Sequence, residues 1–185
     1  MYLIVGLGNP EEEYANTRHN MGFDTINKIA KEYEIEVNKQ NFKGLYGIGN
    51  IEDEKVILLK PQTYMNLSGE SIVELMKFYK IKNNEIIVVY DDMDIEPATI
   101  KIRKKGGPGS HNGMKSVVKM LGTDEFSRIR VGIGTPIDKS LMINYVIGKV
   151  SEEELRILDK GTSLAKEACI EIIKNGVDSA MNKFN

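Results

Sequence analysis

The sequence predicts a single-domain α/β protein, a three-layer sandwich with a mixed central β-sheet flanked by helices on both faces. Short apolar runs alternate with segments whose apolar residues recur at helical spacing. Runs such as YLIVGLG and EIIVVYDD are too continuously apolar for a strand with one face in water, so helices must cover both faces of the sheet. KGLYGIGNI and KVILLKP form a hairpin across the turn EDE, which makes the sheet mixed.

The first half of the chain supplies strands and two helices. YLIVGLG forms the first buried strand, a helix begins near Met21, and the hairpin spans 44–61. Asn66 or Ser68 then caps a second helix, because either side chain can accept a hydrogen bond from a free N–H group at a helix start.

The second half continues the alternation. EIIVVYDD is a buried strand, and ATIKIRK alternates as a half-exposed strand does. A short helix follows the glycine-rich segment after it, and FSRIRVGIG supplies another strand. Ser151 and Glu154 have the spacing of a capping box, which predicts the start of the last helix.

Length and composition favour one domain over residues 1–185. Hydrophobic residues at 41% and charged residues at 28% are ordinary for a globular chain. No apolar run reaches the ~18 to 20 residues that a membrane span needs, and the apolar start has no basic region or cleavage site, so we expect a buried strand there and no signal peptide. The single cysteine, Cys169, excludes an intrachain disulfide and fits a core position in a protein of the reducing cytoplasm.

Basic residues concentrate in one segment, although the formal net charge of the chain is only −2. The segment contains Lys101, Arg103, Lys104, Lys105, Lys115, Lys119, Arg128 and Arg130. Charge alone favours a solvated rim, and a face that binds a polyanion is the alternative.

Hydrogen-bonding side chains follow three predicted strands, at the edge of the sheet where α/β proteins bind ligands. They are Asn9, Tyr64, Asn66, Asp91, Asp92 and Asp94. The only two histidines, His19 and His111, precede predicted helices. A histidine accepts a proton near neutral pH, and an aspartate on its second nitrogen would fix its tautomer, so the set predicts base-catalysed attack by water. Helix caps and turn formers are the structural alternative for the same residues.

Other motif interpretations are weaker. GLGNPE has Glu11 where a dinucleotide fingerprint has its third glycine, and GGPGSHNG lacks the Gly-Lys-Ser/Thr of a P-loop. Asp92 and Asp94 are spaced as in aspartate-nucleophile phosphatases, but Glu96 stands where those enzymes have threonine. We expect no metal, because no pair of candidate ligands has helical i, i+4 spacing or a cysteine partner. A metal-dependent phosphoesterase and an RNA-binding module without activity remain as alternatives.

Five segments follow one another along the chain, namely VGLGNPEEEYANTRHNMGF, KPQTYMNLSG, IIVVYDDMD, KIRKKGGPGSHNGMKSV and FSRIRVGIG. Together they resemble the bacterial peptidyl-tRNA hydrolases, in the order and spacing of that family. The resemblance covers nearly the whole chain. It implies a single-domain α/β enzyme that cleaves the ester between a peptide and the 3′ end of tRNA, acts without a cofactor and works as a monomer. The chain departs from many relatives at Tyr90, where they have histidine.

The resemblance also implies roles for residues at matching positions. His19 would be the general base, Asp91 would hold and polarise it, and Asn9 would help to distinguish an acylated from a free amino group. The expected substrate-binding residues are Tyr14, Tyr64, Asn66 and Asn112, and the expected tRNA-binding residues are Arg103, Lys105, Lys115 and Arg130. We expect Gly22 to let its helix start closely beneath the strand ends, and His111 to position the loop that carries Asn112.

Overall fold

The computed structural model describes residues 1–185 and contains one seven-stranded sheet. The strands are β1 (Tyr2–Gly6), β2 (Lys39–Asn41), β3 (Gly44–Ile51), β4 (Glu54–Pro61), β5 (Ile86–Asp92), β6 (Ile100–Arg103) and β7 (Ser127–Gly132). Their order across the sheet is β2-β3-β4-β1-β5-β7-β6. The four central strands are parallel, whereas β2, β3 and β6 pair antiparallel with their neighbours, so the predicted mixed sheet is confirmed.

Six helices cover the two faces of this sheet. They are α1 (Met21–Glu32), α2 (Ser68–Tyr79), α3 (Asn112–Leu121), α4 (Met142–Ile147), α5 (Glu152–Asn175) and α6 (Val177–Phe184). Side chains of α1, α5 and α6 pack in one buried cluster with the sheet, and those of α2 and α3 pack in a second. The predicted α/β sandwich is therefore confirmed, with one core on each face of the sheet. No helix combines the length and apolar character needed to cross a membrane.

The local predictions differ in outcome. The helix near Met21, the hairpin and the core position of Cys169 are confirmed, and burial raises the pKa of the Cys169 thiol. The capping box at the start of α5 is also confirmed, because Ser151 and Glu154 exchange backbone-to-side-chain hydrogen bonds of 3.2 and 3.0 Å.

The predicted cap of α2 is wrong. A 3-10 turn over Met65–Leu67 precedes α2, and neither Asn66 nor Ser68 caps the helix. The Ser68 hydroxyl instead donates to the Met65 carbonyl oxygen over 2.8 Å, within the turn. The N–H of Gly69, in the first turn of α2, donates to Ser116 Oγ over 2.9 Å, so a side chain of α3 supplies the acceptor that Asn66 or Ser68 was expected to supply.

Candidate active site

A close contact between β1, β5 and the start of α1 places the first histidine. His19 lies in a 3-10 turn, Arg18–Asn20, that leads directly into α1. At Gly22, a Cβ atom would lie 2.3 Å from the Leu7 nitrogen and 2.5 Å from the Val89 oxygen. No residue with a side chain fits between the strands there, so the expectation for Gly22 is confirmed.

Asp91 lies at the end of β5 and holds both histidines of the protein. Its carboxylate is 3% exposed. His19 Nδ1 lies 2.9 Å from Asp91 Oδ2 and 3.0 Å from Oδ1. His111 Nε2 lies 3.0 Å from the same Oδ1 atom. The structure thus joins His19 and Asp91, as the sequence suggests, and adds His111 to the pair.

Burial and charge act in opposite directions on this cluster. Burial lowers the pKa of His19, but the charge of Asp91 and its hydrogen bond together raise that pKa by more than burial lowers it. The pKa of His19 therefore lies above its ordinary value of 6.5. Burial likewise disfavours the charged Asp91, but the two imidazoles outweigh it and hold the pKa of that carboxyl well below its usual range. Asp91 is therefore a carboxylate at neutral pH, poised to stabilise a proton on His19.

The second histidine caps a helix. His111 precedes α3, and its Nδ1 accepts a hydrogen bond of 3.1 Å from the Met114 N–H. This fixes the start of α3 and with it Asn112, the first residue of that helix. The positioning role expected of His111 agrees with this geometry. Its contact with Asp91 was not predicted, because residues 91 and 111 are joined only by the tertiary fold.

A cavity of about 380 Å³ opens beside the cluster. His19, Asp91 and His111 form one wall, the glycine-rich segment 106–110 forms another, and α4 contributes Met142 and Ile143. Four further predicted site residues line it, namely Asn112, Arg103, Lys105 and Arg130. The cavity therefore combines a proton acceptor, basic groups and an apolar wall.

The other predicted residues lie outside the lining of this cavity. Asn9, Tyr14, Tyr64 and Asn66 follow β1 and β4, whereas the cavity lies on the side of β5 that faces β7 and β6. Tyr64 is 70% exposed, and Asn66 is exposed as well. Lys115 lies exposed on α3. The predicted residues thus divide into those that line the cavity, those that follow β1 and β4, and Lys115 on α3.

Asn20 supports the group beside β1, and sequence reasoning missed it. Its Oδ1 accepts a hydrogen bond of 2.7 Å from the Asn9 N–H, and its Nδ2 donates to the Asn9 carbonyl oxygen over 3.1 Å. These bonds fix the backbone of Asn9 relative to His19. The signal available in the sequence was the amide directly after His19.

Arg18 is a second residue that sequence reasoning missed. It is buried, and its guanidinium donates to the Tyr145 carbonyl oxygen over 3.2 Å and to Glu154 Oε1 over 3.0 Å. It also lies 3.9 Å from the centre of the Tyr145 ring. Arg18 therefore ties the turn that carries His19 to α4 and to the start of α5.

The basic segment does not form one continuous face. Arg128 is buried and donates only to backbone carbonyls, those of Gly106, Asp124 and Phe126, so its inclusion in a solvated basic face is wrong. Arg130 donates to Asp92 Oδ2 over 2.8 Å, which offsets part of its charge. Arg103 and Lys105 are exposed beside the cavity. These two residues carry the positive charge available to a polyanion at the site.

The His19–Asp91–His111 cluster contains donor types that bind zinc, with ligand atoms within 4.8 Å of one another. The hydrogen-bond pattern opposes such a site. Since Nδ1 of His111 accepts from the Met114 N–H, the ring hydrogen lies on Nε2, the nitrogen that faces Asp91. A metal at Nε2 would require an imidazolate. Asp92 is engaged by Arg130 and by the Asp94 N–H, which leaves the phosphoesterase alternative without support.

Comparisons with known proteins identify the family of this chain. The family model of peptidyl-tRNA hydrolase matches residues 3–185. A peptidyl-tRNA hydrolase of Clostridium botulinum (strain Hall) is 53% identical over 185 residues, which cover 100% of this chain and 97% of that relative. The corresponding protein of Clostridium beijerinckii is 54% identical, covering 100% of this chain and 96% of the relative.

The solved structures give the same result for the fold. The crystal structure of peptidyl-tRNA hydrolase from Acinetobacter baumannii matches with a TM-score of 0.93 at 40% sequence identity. The match covers 99% of this chain and 93% of that chain. The resemblance noted in the five sequence segments is confirmed, and the chain belongs to the peptidyl-tRNA hydrolase family.

Proposed function

We propose that this protein hydrolyses the ester bond between a peptide and the 3′ end of tRNA, with His19 as general base. The observation that carries the proposal is the hydrogen bond between His19 Nδ1 and the buried Asp91 carboxylate, at the wall of a cavity. Family membership supplies the substrate class. Since peptidyl-tRNA is a product of translation, we place the reaction in the cytoplasm.

The proposed reaction uses the ring nitrogen of His19 that does not face Asp91. His19 Nε2 removes a proton from water as the water oxygen attacks the ester carbonyl carbon. Asp91 keeps the hydrogen on Nδ1 and stabilises the imidazolium that forms. As the ester C–O bond breaks, the proton passes to the leaving 3′ oxygen of tRNA. The products are a peptide carboxylate and a tRNA with a free hydroxyl. The pair acts within one chain, so a monomer suffices.

Two groups of residues would hold the two parts of the substrate. On the β1 side, Asn9 and Asn66 would hydrogen-bond the peptide backbone, and Asn9 would read whether the amino group is acylated. Tyr14 and Tyr64 would provide aromatic surface there. Asn112, fixed at the start of α3, would contact the peptide from the other side. Neutral amides suit this role because they both donate and accept without adding charge.

Basic side chains would hold the tRNA phosphates. Exchanging Arg103 for alanine should raise KM for the tRNA substrate while kcat changes little, because a phosphate contact contributes to capture and not to the chemical step. Removal of one phosphate contact should also flatten the plot of log(kcat/KM) against log[salt] by about one unit of slope. Steady-state kinetics over a range of salt concentrations measures both effects.

Lys55→Ala is the matched control for this charge change. Lys55 is exposed near the start of β4, at the end of the sheet opposite the site. An equal loss in the Lys55 variant, or an unchanged salt slope in the Arg103 variant, would assign the effect to overall charge and contradict local phosphate binding.

The function itself is tested with an N-acetylated aminoacyl-tRNA and the free aminoacyl-tRNA as substrates. We expect release of the acylated amino acid, with the free aminoacyl-tRNA left intact and no effect of a chelator. Binding of both substrates without turnover would favour the RNA-binding alternative. Turnover that the chelator abolishes would favour a metal-dependent hydrolase.

A further inference from the structure

Both ring nitrogens of His111 are engaged within the protein. Nδ1 accepts a hydrogen bond of 3.1 Å from the Met114 N–H, and Nε2 lies 3.0 Å from Asp91 Oδ1. A backbone N–H can only donate, so Nδ1 carries a lone pair and the ring hydrogen is on Nε2. His111 therefore donates to Asp91. The side chain is 9% exposed, so water does not readily replace either partner.

The start of α3 also opposes a hydrogen on Nδ1 of His111. A proton on Nδ1 would face the Met114 N–H and remove the hydrogen bond that caps the helix. It would also lie at a helix N-terminus, where the backbone dipoles disfavour a cation. His19 has no such restriction, because only its Nδ1 is bonded to the protein and the ring lines the cavity.

We propose that His111 is a positioning residue that keeps its ring hydrogen on Nε2 and shares the Asp91 carboxylate with His19, and thereby limits how strongly Asp91 holds a proton on His19. The hydrogen bond from His111 satisfies Oδ1, so less of the carboxylate charge acts on His19. The same ring fixes α3. The base and the helix that carries Asn112 are thus linked through one imidazole.

The other charged groups around the cluster do not replace this effect. Those that line the cavity are Asp92, Asp94, Arg103, Lys105, Arg128 and Arg130. Asp92 and Arg130 pair with each other over 2.8 Å, and Arg128 bonds to backbone carbonyls. Tyr90 packs its ring against His111 at 5.0 Å between centroids. Of the charged groups, only the Asp91 carboxylate hydrogen-bonds with the two histidines.

Imidazole NMR tests the proposal directly, because the chain contains only two histidines. In the ¹⁵N-labelled protein at a pH of about 8, His111 should show the pattern of a ring that carries its hydrogen on Nε2. His19 should titrate with a pKa above 6.5. The His111→Asn variant leaves one histidine and so assigns the spectrum. A hydrogen on Nδ1 of His111 in place of Nε2 would overturn the proposal.

Kinetics supply a second test, which separates two roles of His111: hydrogen-bond donor to Asp91 and N-terminal cap of α3. An asparagine at position 111 keeps an acceptor for the Met114 N–H but is too short to reach Asp91, whereas alanine loses both bonds. In both variants the acidic limb of kcat/KM should move to higher pH by about one unit, because Asp91 then raises the pKa of His19 further. The rate at high pH should fall less than tenfold.

The outcomes separate three roles. An unchanged midpoint in both variants would overturn the proposal, and a shift in the alanine variant alone would assign the effect to the cap. A loss of 100-fold or more at every pH would make His111 a base in its own right. The kinetic test rests on the proposed function, whereas the NMR test does not. If the protein hydrolyses neither tRNA substrate, the function fails and the spectrum still decides the role of His111.

Discussion

Replacing His19 with alanine is expected to lower kcat at least ~100-fold with an N-acylated aminoacyl-tRNA, because a positioned general base contributes about 10² to 10⁴ to the rate. KM should change little, since the proposed role of His19 is in the chemical step. The fold should persist, because His111 still donates to Asp91 and leaves the carboxylate with a partner.

Steady-state kinetics and thermal unfolding of the His19→Ala variant measure these effects together. Added imidazole offers a control for misfolding, since the shortened side chain borders a cavity that a small base can enter. Partial rescue by imidazole would show that the lost group is a base. A variant that keeps the full kcat would contradict the mechanism.

Asp91→Asn is expected to cost about 10² to 10⁴ in kcat, by a different route. An asparagine offers one oxygen and one NH₂ group to two histidines that both donate to the carboxylate. If the asparagine oxygen accepts the hydrogen bond from His111, the NH₂ group faces Nδ1 of His19. That contact favours the His19 tautomer that carries its hydrogen on Nε2. That tautomer cannot accept a proton from water, and a comparable change in serine proteases lowers kcat about 10⁴-fold.

The pH dependence of kcat shows whether the loss in the Asp91→Asn variant comes only from a changed pKa of His19. Removing the charge of Asp91 takes away the interaction that raises the pKa of His19, so the acidic limb should move to lower pH. The loss in kcat should nevertheless persist at every pH. Its cause is the His19 tautomer with the hydrogen on Nε2, and a change of pH does not correct that tautomer. Recovery of the full rate at alkaline pH would contradict this explanation.

The strand and helix pattern could be predicted wherever burial leaves a periodic signal. The central strands β1 and β5 are nearly all buried and appear as apolar runs, and α5 has a capping box and a long apolar stripe. The fully exposed β2 and the short α4, none of whose residues is buried, carry no such signal and were missed. Helix α6 was also missed, since it buries only Ala180.

The site was predictable to the extent that chain order determines it. His19 and Asp91 each follow or end a central strand, so the parallel sheet brings them to one edge. The shared hydrogen bond of His111 depends on the turn geometry before α3. The burial of Arg128 depends in part on the Gly106 carbonyl, which lies in a loop 22 residues away in sequence. Neither contact leaves a periodic or compositional trace in the sequence.

The place of Asp91 within the sheet bears on how the protein loses activity as it opens. Strand β5 is hydrogen-bonded on both sides, by β1 and β7, so its backbone is released only when the sheet itself comes apart. The cavity walls are built differently, since residues 104–110, before the helix cap His111, belong to no strand or helix and α4 buries none of its residues. Mild denaturant should therefore open the cavity walls before it separates β5 from its neighbours. The affinity for the substrate then declines at a lower denaturant concentration than the turnover rate, which depends on Asp91.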